Sequence, residues 1–128
     1  MPRIFNPSGV HTPVGAYSHV AEVAAGAKLY FIAGQVGVNL DGDLADGVEA
    51  QAEQVYRNIE AILGDLGLGF DDVVKTTTYM VDAEDGPVRT AAQKKVMGDI
   101  KPPNTLVYIS ALAQPKIKIE IEAIAVKD

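Results

Sequence analysis

Two glutamates on one face of a C-terminal strand are the residues best placed for acid–base chemistry. The last apolar run of the chain alternates, so that Lys118, Glu120 and Glu122 share one strand face. The same face becomes apolar at Ile124 and Val126, as at the rim of an interface. Partial burial there would raise the basicity of a carboxylate, and either glutamate could then activate a water molecule. A solvated strand face with ordinary pairing to lysines explains the same alternation.

Two other short segments carry groups that could contact a ligand. Gly34 follows Ala33 at the end of an apolar run, where a missing side chain lets a ligand approach the backbone, although a turn would also use glycine there. Tyr17, Ser18 and His19 bring together a phenol, a hydroxyl and an imidazole. Neighbours on a strand point to opposite faces, so Ser18 and His19 make a poor nucleophile–base pair. We expect Tyr17 to form an amphipathic wall and His19 to be a hydrogen-bonded surface or interface residue.

Composition restricts the remaining chemistry. The 128 residues include no cysteine and only two histidines, which excludes thiolate sites and argues against a metal site. A net charge of −6 lacks the basic surface typical of nucleic-acid-binding proteins, and no phosphate-binding glycine pattern is present. No apolar stretch reaches the roughly 18–20 residues of a membrane span, and the N-terminus does not resemble a signal peptide. We therefore expect one cytoplasmic domain over residues 1–128.

Hydrophobic periodicity predicts the elements that position these groups. Apolar residues from Val48 to Leu66 step by three and four, which indicates a long helix that Asp46 could cap and Gly67 could end. A shorter helix is expected over 87–97, beginning with Pro87. Strands are expected at 16–23, 28–33, 72–81, 105–110 and 117–126. This order predicts an α+β fold with two helices on one face of a mixed sheet.

Two of the predicted strands, at 28–33 and 105–110, are apolar on both faces. Two helices can cover only one face of their sheet, and the second face would leave a larger apolar patch than monomers usually expose. We therefore predict a homo-oligomer in which sheets pack on sheets. The alternative is a sheet that curls to bury its own second face.

Five of these motifs together resemble the RidA/YjgF family, formerly described as endoribonuclease L-PSP or translation initiation inhibitor. In chain order they are Gly15-Ala16-Tyr17-Ser18, Phe31-Ile32-Ala33-Gly34-Gln35, the helix positions Gln51, Asn58-Ile59 and Ile62-Leu63, Asp72-Val73-Val74-Lys75-Thr76-Thr77, and Ile119-Glu120-Ile121-Glu122-Ala123-Ile124-Ala125. The resemblance implies a chorismate-mutase-like fold and a homotrimer with a central β-barrel and clefts between subunits. It also implies hydrolysis of small enamines and imines to 2-oxo acids and ammonia, with no metal or organic cofactor.

The resemblance also assigns roles to individual positions. It implies that Glu120 positions the attacking water and that Tyr17 lies in the cleft. It implies that the backbone of Ala33 and Gly34 faces the ligand. Nucleic acid and membranes are not expected as partners; the expected partners are other copies of the chain and a small molecule at their interfaces.

The chain departs from the active pattern at Asn104, where active members carry an arginine that binds the substrate carboxylate. Leu106 stands where many active members have a cysteine. With Asn104 beside Glu120, a carboxylate substrate would meet a like charge and no cation, because asparagine is neutral. Arg89 and Lys101 are possible replacement cations. A neutral or cationic ligand is the other possibility.

Three functions remain open from the sequence. The first is a hydrolase or deaminase of a small imine or enamine, with Glu120 handling the water. The second is a trimeric protein that binds a small molecule with little or no catalysis. The third is the ribonuclease or translation inhibitor of the older family description, which ranks last because the chain is acidic and its lysines do not cluster with aromatic residues.

Overall fold

A four-stranded mixed sheet forms the centre of the computed structural model, which describes all residues from 1 to 128. The elements are β1 (Arg3–Phe5), β2 (Val20–Glu22), β3 (Lys28–Val36), α1 (Val48–Asp65), β4 (Val73–Met80), α2 (Gly86–Met97), β5 (Asn104–Tyr108) and β6 (Ile119–Lys127), with short 3-10 turns at Phe70–Asp72 and Ala83–Asp85. The strand order is β3-β6-β4-β5, and β1 pairs separately with β2. Only β4 and β5 run parallel; β6 lies antiparallel to both of its neighbours. The expected α+β class and mixed sheet are confirmed.

Helix α1 follows the predicted apolar stripe and ends where expected. Ala52, Val55 and Ile59 are buried against the sheet. At the C-terminus Gly67 adopts φ 73°, and the amide of Leu68 donates to the Leu63 carbonyl at 2.8 Å, the arrangement of a Schellman motif. The expected cap by Asp46 is wrong: Gly47 occupies the capping position and no side chain caps the helix.

The core lies between the two helices and one face of the sheet. The β6 side chains Ile119, Ile121, Ala123 and Ala125 are all buried, as the alternation predicts. Residues from α1, α2, β3 and β4 join them in one cluster. Both helices therefore cover the same face of the sheet, while Glu120 and Glu122 lie on the opposite face.

Several strand boundaries differ from expectation. Strand β3 does not stop at Gly34 but continues to Val36. Gly34 lies in a β-bulge between Ile32 and Gln35, where the register with β6 shifts and pairing then resumes. The expected first strand over 16–23 is reduced to Val20–Glu22, which pairs with the unexpected strand β1. The last strand begins at Ile119 rather than at 117.

The sheet is open, and its outer face, the face without helices, is partly apolar. Strands β3 and β5 are its edges, so the alternative of a curled sheet that buries its own second face is wrong. On this outer face Phe31 is 74% exposed, and Leu29 and Val107 are exposed as well. Val126 was expected on the rim of this face but is buried. It lies near the end of β6, where the N-terminal ammonium of Met1 forms an ion pair with Asp128.

Candidate functional site

Glu120 lies on the outer face of the sheet, against the backbone of Gly34. The register of β6 places Glu120 opposite Val36 of β3 and Tyr79 of β4. A Cβ atom added to Gly34 would lie 2.7 Å from Cδ of Glu120, so any side chain at position 34 would require the Glu120 side chain to move. Glu120 is half-buried and forms no ion pair. The glycine therefore makes the space in which this carboxylate sits.

A second carboxylate on the same face is engaged by a tyrosine. The Tyr79 hydroxyl donates to Oε1 of Glu122 at 2.8 Å. This hydrogen bond, followed by desolvation and the charges of Glu122 and Glu120, raises the pKa of Tyr79 above its usual value. Tyr79 was not singled out by the sequence, because only the pairing of β4 with β6 reveals that its phenol meets Glu122.

A depression of about 350 Å³ occupies the outer face beside these carboxylates. Its lining combines apolar side chains with Lys75, Thr77 and Glu122. The Lys75 ammonium donates to the Thr105 hydroxyl at 2.7 Å rather than to a carboxylate. Ala33, expected to face the ligand, lines this depression, and Phe31 forms part of its wall.

Asn104 and Leu106 lie on the other face of the sheet from Glu120. The side-chain oxygen of Asn104 accepts hydrogen bonds from the hydroxyls of Thr76 at 2.8 Å and Thr78 at 2.9 Å, both of which are buried under the helices. Leu106 packs against the core. Within one chain Asn104 therefore does not lie beside Glu120, because the two side chains are on opposite faces of the sheet.

Tyr17 belongs to a loop that rests on α2 and on the segment before β5. The side-chain amide of Gln93 donates to the Ala16 carbonyl at 3.1 Å, and the amide of Ser18 donates to the Pro102 carbonyl at 3.4 Å. The half-buried Tyr17 ring packs edge-on against His19, at 5.5 Å between ring centroids.

The histidines take part in this loop rather than in a catalytic pair. Nε2 of His19 lies 2.8 Å from the His11 carbonyl, and its backbone amide donates to Asn6. The two imidazole rings meet edge-on at 5.0 Å. As expected, Ser18 and His19 do not pair: the imidazole nitrogen is engaged by the backbone of His11.

The two possible replacement cations differ in their surroundings. Lys101 is exposed and forms no ion pair. Arg89 is only 5% exposed, and its NH1 donates to the Tyr56 hydroxyl at 3.3 Å and to Oε1 of Gln93 at 2.5 Å. Burial raises the pKa of Tyr56 even though Arg89 opposes the shift, so this phenol stays neutral. The burial of Arg89 was not foreseen, since a single polar residue on a short helix gives no periodic signal.

The chain contains no cluster of three or more side chains suited to binding a metal ion. None of its helices combines the length and apolar character needed to cross a membrane.

Comparison with known proteins gives consistent matches over nearly the whole chain. Residues 9–127 match the family model described as Endoribonuclease L-PSP. A RutC family protein of Pyrococcus abyssi is 34% identical over 118 residues, covering 91% of this chain and 90% of the relative. The 2-iminobutanoate/2-iminopropanoate deaminase of Rattus norvegicus is 32% identical over 128 residues, covering 98% of this chain and 90% of the relative.

Solved structures agree with these sequence matches. The Rid family protein YyfB of Yersinia pestis superposes with a TM-score of 0.86 at 32% identity, over 97% of both chains. E. coli TdcF, crystallised with bound serine, superposes with a TM-score of 0.74 at 27% identity, over 98% of this chain and 99% of TdcF.

Proposed function

Because the chain belongs to the endoribonuclease L-PSP family, also known as RidA/YjgF, we propose that it forms a homotrimer with small-molecule clefts between its subunits. The three outer sheet faces would pack around a central barrel. The exposed Phe31 and Leu29 supply apolar surface for such packing, since an uncovered patch of this kind is unusual in a monomer. Tyr17, Gly34, Asn104, Leu106 and Glu120 would line the clefts, some contributed by each neighbour.

The reaction that fits this site best is the hydrolysis of a small imine or its enamine tautomer. Glu120 would accept a proton from a water molecule whose oxygen attacks the imine carbon. Glu120 would return this proton to the imine nitrogen, which gives a neutral carbinolamine. The hydroxyl proton of the carbinolamine would then pass through Glu120 to the nitrogen as the C–N bond breaks, which releases ammonia and leaves a carbonyl compound. The observation that carries this proposal is the packing of a half-buried, unpaired Glu120 carboxylate against the backbone of Gly34. The deaminase from Rattus norvegicus, similar over nearly the whole chain, supports the reaction class.

Ammonia release tests this function directly. Freshly generated 2-aminoacrylate, which tautomerises to 2-iminopropanoate, would be mixed with the protein and ammonia followed over time. We expect acceleration by the native chain and a loss of about 10²-fold or more in Glu120→Gln, because general base catalysis supplies rate factors of this order. Glu84→Gln is the matched control, since Glu84 is an exposed glutamate without an ion pair. Equal rates with and without protein would overturn the proposed reaction.

Non-catalytic binding of a small molecule is the second candidate, and the state of Asn104 favours it. The asparagine offers no charge, and its oxygen is already bound by Thr76 and Thr78. If the native chain is inactive but Asn104→Arg gains activity, the missing guanidinium alone accounts for the loss. If both are inactive while small metabolites such as serine raise the thermal midpoint, binding is the function. The bound serine in the related E. coli TdcF makes amino acids a sensible first set.

A further inference from the structure

Arg89 is a buried cation without a counter-ion. Arg89 is 5% exposed, and its guanidinium extends from α2 to the Tyr56 hydroxyl of α1. Its hydrogen-bond partners are the hydroxyls of Tyr56 and Thr90 and the amide oxygen of Gln93, all of them neutral. No carboxylate comes within 4.0 Å of it. A buried guanidinium without an anion is unfavourable, and proteins normally pair such a charge.

The unused hydrogen-bonding capacity of Arg89 is concentrated on one edge of the guanidinium. NH1 makes the two shorter bonds, to Tyr56 and Gln93. The Nε atom is buried without any partner, and NH2 has only a 3.4 Å contact with the Thr90 hydroxyl. The Nε and NH2 donors point in parallel, which is the geometry that receives both oxygens of a carboxylate.

One end of this edge contacts an exposed residue, and Arg89 is connected through hydrogen bonds to the loop that carries Tyr17. Thr90 is exposed, so the NH2 end of the edge lies beside a surface residue, whereas Nε is buried and becomes accessible to a ligand only if the Thr90 side chain moves aside. Gln93, which accepts from Arg89, donates in turn to the carbonyl of Ala16, the residue before Tyr17. The guanidinium is thus two hydrogen bonds away from the loop that carries Tyr17.

We propose that the Nε–NH2 edge of Arg89 binds the carboxylate group of a small organic acid. This site would supply, from helix α2, the cation that Asn104 does not supply from strand β5. The existence of this carboxylate site does not depend on the proposed function. Only the identity of the acid rests on that function, which would make it a 2-oxo or 2-imino acid. The same edge could take a carboxylate from a second copy of the chain, and the test separates these two sources.

The Nε–H resonances of arginine in an isotope-labelled protein test the site without any substitution. The chain has three arginines, and Arg3 and Arg57 are partly exposed reference signals on the same molecule. Acetate and pyruvate would be titrated at constant ionic strength against chloride. We expect a saturable shift of the Arg89 signal with both carboxylates and none with chloride. An Arg89 signal that does not respond to either carboxylate would overturn the proposal.

Dilution of the same sample distinguishes the two sources of the carboxylate. If the Arg89 signal does not respond to added acids but shifts when the oligomer dissociates, a second copy provides the carboxylate and the small-acid site is wrong.

The affinity of variants for pyruvate tests whether the paired Nε and NH2 donors bind the carboxylate. Arg89→Lys keeps the charge without the paired donors, and we expect pyruvate to bind it about tenfold or more weakly. Arg57→Lys is the matched control and should bind pyruvate as the native chain does.

The two proposals fail in different ways. Pyruvate binding at Arg89 without ammonia release would leave the carboxylate site standing and overturn the imine hydrolysis. Ammonia release that Arg89→Lys leaves unchanged in both KM and kcat would retain the reaction and overturn the role of Arg89. A rise in KM with an unchanged kcat is the result we expect, because the guanidinium would bind the carboxylate equally strongly in the substrate and in the transition state.

Discussion

Gly34 and Glu120 fit together such that the carboxylate occupies the volume of the side chain that residue 34 lacks. Any Cβ at position 34 would approach Cδ of Glu120 to 2.7 Å and Cγ to 2.9 Å. The bulge in β3 and the register of β6 bring these residues together, although they are 86 positions apart in the sequence. Gly34 is therefore required by packing: the absence of a side chain at position 34 leaves room for the Glu120 carboxylate.

We expect Gly34→Ala to damage the site by displacing Glu120. The added methyl group would force the carboxylate away, and because Glu120 is a flexible, half-buried side chain the free energy of unfolding should fall by only about 1 kcal/mol, the low end of the range for overpacking. Urea denaturation measures the loss. Combining Gly34→Ala with Glu120→Ala should recover most of the stability, because the clashing carboxylate is then gone, but should not recover ligand binding or activity.

Gly64 provides the control for this substitution. Its Cβ would meet nothing within 4 Å, and it lies inside α1. Gly64→Ala should therefore stabilise the chain by about 0.5–1 kcal/mol, the usual helix preference for alanine. Equal effects of Gly34→Ala and Gly64→Ala would show that no close contact exists at position 34.

We expect Asn104→Ala to destabilise the fold rather than merely alter a cleft. Its Oδ1 is the acceptor for the buried hydroxyls of Thr76 and Thr78, and Thr78 has no exposed surface. Removing the acceptor should lower the free energy of unfolding by about 1–3 kcal/mol. In a double-mutant cycle, Asn104→Ala should cost less in a Thr78→Val background; additive losses would contradict the contact.

The sequence predicted the layers of the fold better than the arrangement of the site. Periodicity located α1 and the buried face of β6, because burial of one face imposes a repeat that a single chain displays. It could not predict that Asn104 and Glu120 lie on opposite faces, since this depends on the register between β4 and its two neighbours. The burial of Arg89 likewise depends on Tyr56 and Gln93, which come from two helices and leave no common spacing in the sequence.

The Tyr79–Glu122 pair makes stability depend on pH in the alkaline range. The hydrogen bond to Glu122 raises the pKa of Tyr79 above the value of about 10 expected in the unfolded chain. The folded state therefore holds this proton more tightly. The contribution to stability is complete below about pH 10 and is lost as pH rises through the folded pKa.

Two variants test this dependence. We expect Tyr79→Phe to remove the alkaline loss of stability that is assigned to this phenol, measured as the urea midpoint from about pH 8 to about pH 11. In Glu122→Gln an amide oxygen still accepts the hydrogen bond but the negative charge is gone, so the pKa of Tyr79 should fall towards its ordinary value. An unchanged ultraviolet titration of the tyrosines in both variants would contradict the pairing.

Substitutions at Phe31 test whether the outer sheet face is the interface between subunits. It is 74% exposed in the single chain, on the face opposite the helices. We expect the native protein to sediment at about three times its chain mass of 13.6 kDa. Phe31→Ala should weaken each contact by about 1.5–3 kcal/mol, the usual contribution of a buried aromatic side chain. Phe31→Glu should dissociate the assembly further, because it would add a charge beside Glu122.

Leu40 is the matched control for this experiment, since it is another exposed large apolar residue but lies in a turn between β3 and α1. Leu40→Glu should leave the sedimentation unchanged, because no interface is expected at that turn. If Phe31→Glu and Leu40→Glu both sediment as the native chain does, the apolar outer face does not hold the subunits together. If the native chain itself sediments at 13.6 kDa, clefts between subunits do not exist and Glu120 would act, if at all, from an open sheet face.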